Sequence, residues 1–250
     1  MAYFDESGID PREQLCVVAG FVGDVAQWTG FASDWIPAIR PRTNLHMKDI
    51  RWHNKRRYPY YVELLEKLGS IPHRYNLTPV KMELRHQDHC ELLAGKVESE
   101  FTTPYQLCAT GCISTVLSEV AGPKDEVLFL FDWQEGKRAD DFKRLKALVY
   151  DWAKFDKRVK DIDFRRREST VCLDPADYLA FALLYRDIDP ESDRAKASAP
   201  ILAGERRRGH RYSREHLALL VQNAQTEGMS PMLFEQLRKA GWGEHGPPRG

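Results

Sequence analysis

Apolar and polar positions along the chain switch repeatedly between a period of two and a helical period. Tyr3-Phe4 runs into Asp5-Glu6-Ser7-Gly8 as a short strand ending in a glycine turn, and the apolar run 15–22 is a second strand. Turn formers between them predict a hairpin. Trp28, Phe31, Trp35 and Ile39 recur at helical spacing over 25–39, and Pro41 ends the pattern. A helix is expected over 60–68, stopped by Gly69, and a strand over 74–84 in which Pro79 argues for an edge position. Residues 105–120 read as a buried helix closed by Gly122-Pro123, and 126–132 as a buried strand ending in Asp132.

Phe142, Leu145, Leu148, Val149 and Trp152 predict a helix over 140–154. A strand at 159–164 and a helix at 177–188 follow. The chain then turns polar over 189–209, which reads as a mobile segment. A helical extension over 210–250 has an amphipathic helix at 215–225, a short one at 232–240 and a disordered end from Gly243. Mixed strands and helices predict a three-layer α/β domain over 1–188, its central mixed sheet flanked by helices.

Composition narrows the setting. With 250 residues, 42% hydrophobic and 30% charged, the chain suits one globular domain with an extension. No apolar run reaches membrane-spanning length, and Met1 leads directly into the first strand, so the expected location is the cytoplasm, without a membrane partner. The five cysteines, Cys16, Cys90, Cys108, Cys112 and Cys172, read as free thiols, with Cys108 and Cys112 in the core. Acidic and basic residues balance at 37 each, so any polyanion contact must be local or assisted by bound cations.

The candidate chemistry lies in acids at the ends of apolar runs. An acid at the exit of a buried strand is held rigidly at a sheet rim, where ligand sites of α/β folds form. Converging acids repel one another, and divalent cations relieve the repulsion. Asp5 shares a strand face with Tyr3, whereas Glu6 joins the same site only if the chain turns at once. Asp132 closes a strand in which five apolar residues precede it. Asp174 before Pro175 looks like a helix N-cap, which puts Asp177 in the first turn either as a capping acid or as a ligand. His46 is a candidate for phosphate positioning or proton transfer, with Lys48 and Asp49 as weaker neighbours. His86, His89 and Cys90 offer an incomplete zinc pattern that reads better as a polar helix start. The triplets 55–57, 165–167 and 206–208 are basic enough to grip phosphates, although such runs are commonly solvated faces.

Four short patterns occur in one order: Asp5-Glu6-Ser7-Gly8, Leu45-His46-Met47-Lys48-Asp49, Phe131-Asp132 and Leu173-Asp174-Pro175-Ala176-Asp177. In this the chain resembles a microbial family catalogued as domain of unknown function 3800, regarded as RNase H-like. The resemblance covers about residues 1–188 and departs at Asp174, where the family has glutamine. It implies an RNase H-like domain, Mg²⁺ or Mn²⁺ held by Asp5, Asp132 and Asp177, auxiliary roles for Glu6 and His46, and hydrolysis of nucleic-acid phosphodiesters as a nuclease. The alternative is an RNase H-like module that binds nucleic acid or protein without catalysis. The C-terminal extension is a candidate docking element for a protein partner.

Overall fold

The computed structural model describes residues 1–96, 103–133, 143–147, 150, 156–202 and 208–227. Five strands, β1 (Ala2–Ser7), β2 (Leu15–Val22), β3 (Thr78–Arg85), β4 (Val127–Asp132) and β5 (Val159–Arg165), form one sheet in the order β3-β2-β1-β4-β5. β1, β2 and β3 are an antiparallel meander, while β4 and β5 run parallel to β1. The first hairpin depends on Gly8. Its φ is +69°, and a side chain there would come within 2.0 Å of the Leu15 carbonyl oxygen.

The helices are α1 (Val25–Ile39), α2 (Tyr58–Gly69), α3 (Ile71–Arg74), α4 (His86–Leu92), α5 (Pro104–Thr115), α6 (Asp174–Ile188), α7 (Asp193–Ser198) and α8 (Arg214–Glu227). Strand alternation sorts the apolar residues into two cores. Ala2, Phe4, Cys16, Val18, Phe129 and Phe131 face α5 and α8, where Leu107, Cys108, Cys112, Leu217 and Leu220 join them. Tyr3, Val17, Ala19, Phe21 and Leu130 face α1, α2 and α6. α6 is buried without a break from Asp174 to Leu184. The result is an α/β architecture with a mixed sheet between helices, and Asp5 and Asp132 fall by alternation on the α6 face.

Some expectations from sequence need revision. Within the supposedly mobile stretch, Ser192 caps α7 and a 3-10 turn follows at Ala199–Leu202. Ala195, Ala197 and Ile201 are buried there, so these few apolar residues anchor an otherwise polar segment. The described part of the C-terminal extension, 210–227, also packs on the body: Leu217, Leu220 and Tyr212 are buried, and the Tyr212 hydroxyl donates to the Leu107 carbonyl at 3.1 Å. The helix read at 105–120 ends as a π-helical turn, Val116–Val120. Of the helix expected at 140–154, residues 143–147 are helical and most of the rest lie outside the described residues, as do the short helix at 232–240 and the tail. No helix among the described residues is long and apolar enough to cross a membrane.

Candidate functional site

The sheet register brings the first two acids together. β1 and β4 pair in parallel with Phe4 opposite Phe131, so one residue later Asp5 stands beside Asp132. β5 leaves the sheet at the same edge, with Arg165 opposite Asp132, and two residues on it delivers Arg167 in a 3-10 turn. α6 enters over this edge and presents Asp177 from its first turn. Asp5, Asp132, Asp177 and Arg167 are only 2, 8, 5 and 6% exposed, so their charges interact with little help from water.

Arg167 is the hub. Its Nη2 donates to Oδ2 of Asp5 and, at 2.8 Å, to Oδ2 of Asp132. Nη1 donates to Oδ2 of Asp177 at 2.6 Å and lies against Nδ1 of His46. Because Asp5 and Asp132 share one nitrogen, their oxygens lie within two hydrogen-bond lengths, about 6 Å, of each other. His46 Nδ1 is 3.0 Å from Asp177 Oδ2, and its Nε2 carries no hydrogen bond among the described residues.

The loop carrying His46 is clipped to α6 by two carboxylates. Asp177 accepts from the Met47 N–H at 2.7 Å, and Asp174 accepts from the Leu45 N–H at 2.9 Å and from Trp35 Nε1 at 3.0 Å. Asp174 is therefore not an N-cap. The helix begins at Asp174 itself, directly after the turn Val171–Leu173, and the capping position is Leu173 without a side-chain bond. From the first helical position a carboxylate points away from the N–H groups that a cap would satisfy, and here it reaches across to α1. Its second oxygen, Oδ1, is buried without a hydrogen-bond partner among the described residues.

Electrostatically the site is short of positive charge, with three carboxylates facing one guanidinium. Burial pushes the Asp5 carboxyl well above its ordinary range; Arg167 opposes the shift, and Glu6, Asp177 and Asp132 add to it. Asp132 is raised too, with burial outweighing Arg167. For Asp177 burial also acts upward, but His46, Arg167 and the Met47 N–H outweigh it and hold the carboxyl low. Burial works against the charge on Arg167, yet its three acids raise its pKa. Asp174 is pushed up to about 7 by burial, against the pull of Trp35 and the Leu45 N–H.

The cluster forms part of the wall of an open cleft of about 910 Å³, which Glu6, Lys48, Asp49, Trp133 and Glu168 also line. β1 continues through Ser7, so Glu6 alternates away from Asp5, although it is buried and still borders the cleft. His86 and His89 lie on α4, where His86 Nε2 is 2.6 Å from the Gly8 carbonyl and His89 is buried. Arg167 is the residue that sequence reasoning misplaced. It reads as one of a solvated basic triplet, and the only signal against that is its position just beyond a strand parallel to β4.

Oxygen donors from three elements aimed at one cationic group suit a hard divalent ion. Among the described residues no group of three His, Cys, Asp or Glu side chains stands in an arrangement that could hold a metal ion. The guanidinium holds those oxygens, and a divalent cation would have to displace it. No protein-family model, curated protein or solved structure matches the chain.

Proposed function

We propose that the protein is a metal-dependent phosphodiesterase of RNase H-like organisation acting on nucleic acid, with Asp5, Asp132 and Asp177 as the residues that would hold Mg²⁺ or Mn²⁺. The observation that carries this reading is the convergence of three buried carboxylates, from two parallel strands and a helix, on a single arginine at the rim of an open cleft. An antiparallel meander joined to two parallel strands is compatible with that organisation. When bound, two such ions supply an activated water and stabilise the leaving oxygen of the phosphodiester.

The protein groups have distinct tasks in this reading. Asp177 orients His46 through Nδ1, which leaves Nε2 for a phosphate oxygen or a proton on the cleft side. Arg167, released from the acids, has the planar fork that grips a phosphate through two oxygens. Glu6 adds negative charge beside Asp5. The test is incubation of the purified chain with labelled DNA and RNA in Mn²⁺ or Mg²⁺, beside EDTA. Metal-dependent cleavage that Asp132→Asn abolishes is the expected result; cleavage untouched by Asp132→Asn overturns the assignment.

Arg167 also favours a second reading. A guanidinium that permanently neutralises the acids would make the cluster a rigid anchor in a binding module without catalysis. In that case Mn²⁺ leaves the melting temperature unchanged, and Arg167→Gln destabilises the fold without creating a metal response.

A further inference from the structure

The acid cleft repels the polyanion that the proposed reaction requires, so a compensating cationic surface has to adjoin it. The segment joining α1 to α2 has that character. Residues 40–57 contain seven lysines and arginines against one aspartate, in a chain that otherwise carries an excess of acids. Arg40, Lys48, Arg51, Lys55, Arg56 and Arg57 are exposed, and none has an ion-pair partner among the described residues.

The backbone of this segment is pinned to the site. Leu45, Met47 and Ile50 are buried in the α6-side core, and the Leu45 and Met47 N–H groups are held by Asp174 and Asp177. Trp52 stacks on Phe181 of α6 with ring centroids 5.4 Å apart. The apolar side chains thus face inward, Arg42 lies over the rings of Tyr60 and Tyr61, and the other basic side chains are exposed. The cleft and a second hollow of about 370 Å³ share Asn44, His46 and Asp49, so a groove continues from the acids along residues 41–50, next to the basic residues that follow.

We infer that residues 40–57 form a strap that grips the phosphodiester backbone of a nucleic acid through Lys48, Arg51, Lys55, Arg56 and Arg57 and leads it into the acid cleft. The inference deepens the nuclease reading and rests on it for the identity of the polyanion. Binding through the strap is electrostatic and independent of sequence, so its signature is salt dependence.

The experiment measures binding of short labelled single-stranded and duplex oligonucleotides to the full chain by fluorescence anisotropy, in EDTA, across a salt series. The variant R51Q/K55Q/R56Q/R57Q should bind at least about tenfold more weakly at low salt, with a log–log salt slope shallower by about 3. Its thermal melt should match the parent's; if it does not, R51Q/R57Q carries the test with about half the change in slope. A folded variant that keeps the parent's affinity and slope overturns the proposal, as does a parent that binds none of the oligonucleotides. Displacement by polyglutamate at equal charge would mark a surface for acidic protein and overturns it as well. A parent that binds through the strap yet cleaves nothing in Mn²⁺ removes the nuclease reading and leaves the strap standing.

Discussion

Two buried ionic clusters on one sheet have opposite stoichiometry. At the exits of β1 and β4, three carboxylates share Arg167. On β3, the single carboxylate of Glu83, 1% exposed, is held by Lys81 at 2.6 Å, Arg186 at 3.2 Å and Arg211 at 2.6 Å. Arg211 also bonds Asp187 at 2.5 Å, and Arg208 and Arg211 pair with β3 through the bridges Val80–Arg208 and Glu83–Arg211. In the Glu83 cluster three cations meet Glu83 and Asp187, so the buried acid is fully compensated, and the cluster ties α6 and residues 208–211 to the sheet edge. The Arg167 cluster has an excess of acid and opens on a cleft. A buried charge needs compensation; the Glu83 cluster finds it within the protein, and in the Arg167 cluster the proposed divalent cation would supply the rest.

The pH behaviour of the two clusters should differ in sign. Burial acts to raise the Glu83 carboxyl, but Lys81 and Arg211 outweigh it and hold it low. Its stabilising contribution is present above the unfolded carboxylate range and lost as pH falls through the folded value. Asp5 and Asp132 are raised, so their contribution is greatest in acid and is lost as pH rises through their folded values.

The largest expected effect belongs to the acid-rich cluster. Asp132→Asn should lower Mn²⁺-dependent cleavage by about 100-fold or more, since charge stabilisation of several kcal/mol depends on that ligand. In EDTA the same variant should be as stable as the parent or slightly more so, because a repulsive charge has gone. Next is Glu83→Ala, which takes the shared acid from Lys81, Arg186 and Arg211, leaves Arg211 with Asp187, and should cost about 3–5 kcal/mol at neutral pH in a denaturant titration. Its metal-induced melting shift should be that of the parent; a changed shift would mean that the two clusters are not separate.

A smaller effect is expected at Asp174. Its pKa of about 7 lies above the unfolded value, so ionisation destabilises the fold as pH rises through neutrality. Asp174→Asn should remove that slope and raise stability above pH 7 by at most about 4 kcal/mol. Melts at pH 5 and pH 8 check this: a parent and variant with parallel pH profiles would show that the carboxyl is not protonated in the fold.

Much of this contrast is hidden in the sequence. Apolar alternation and turn residues locate all five strands to within a few residues, because the signal is local. Pro79 reads as an edge residue and lies on β3, the edge of the sheet. Asp5 and Asp132 stand out because each ends an apolar run. Arg167 does not, since its burial comes from β5 leaving the sheet beside β4, a contact between distant segments. Asp174 looks like a cap because Pro175 follows it, and only the position of Trp35 and Leu45 shows its bridging role. Glu83 and Arg211 are 128 residues apart, and no local pattern pairs them.

Uptake of a divalent cation by the Asp5–Asp132–Asp177 cluster is tested most directly by calorimetric titration of the metal-free protein with Mn²⁺. Saturable binding that Asp132→Asn removes and Glu83→Gln keeps is expected. Binding should be tighter in Arg167→Gln, where the competing guanidinium is gone. No saturable binding in the parent or in Arg167→Gln, or binding unchanged by Asp132→Asn, would contradict uptake at this cluster.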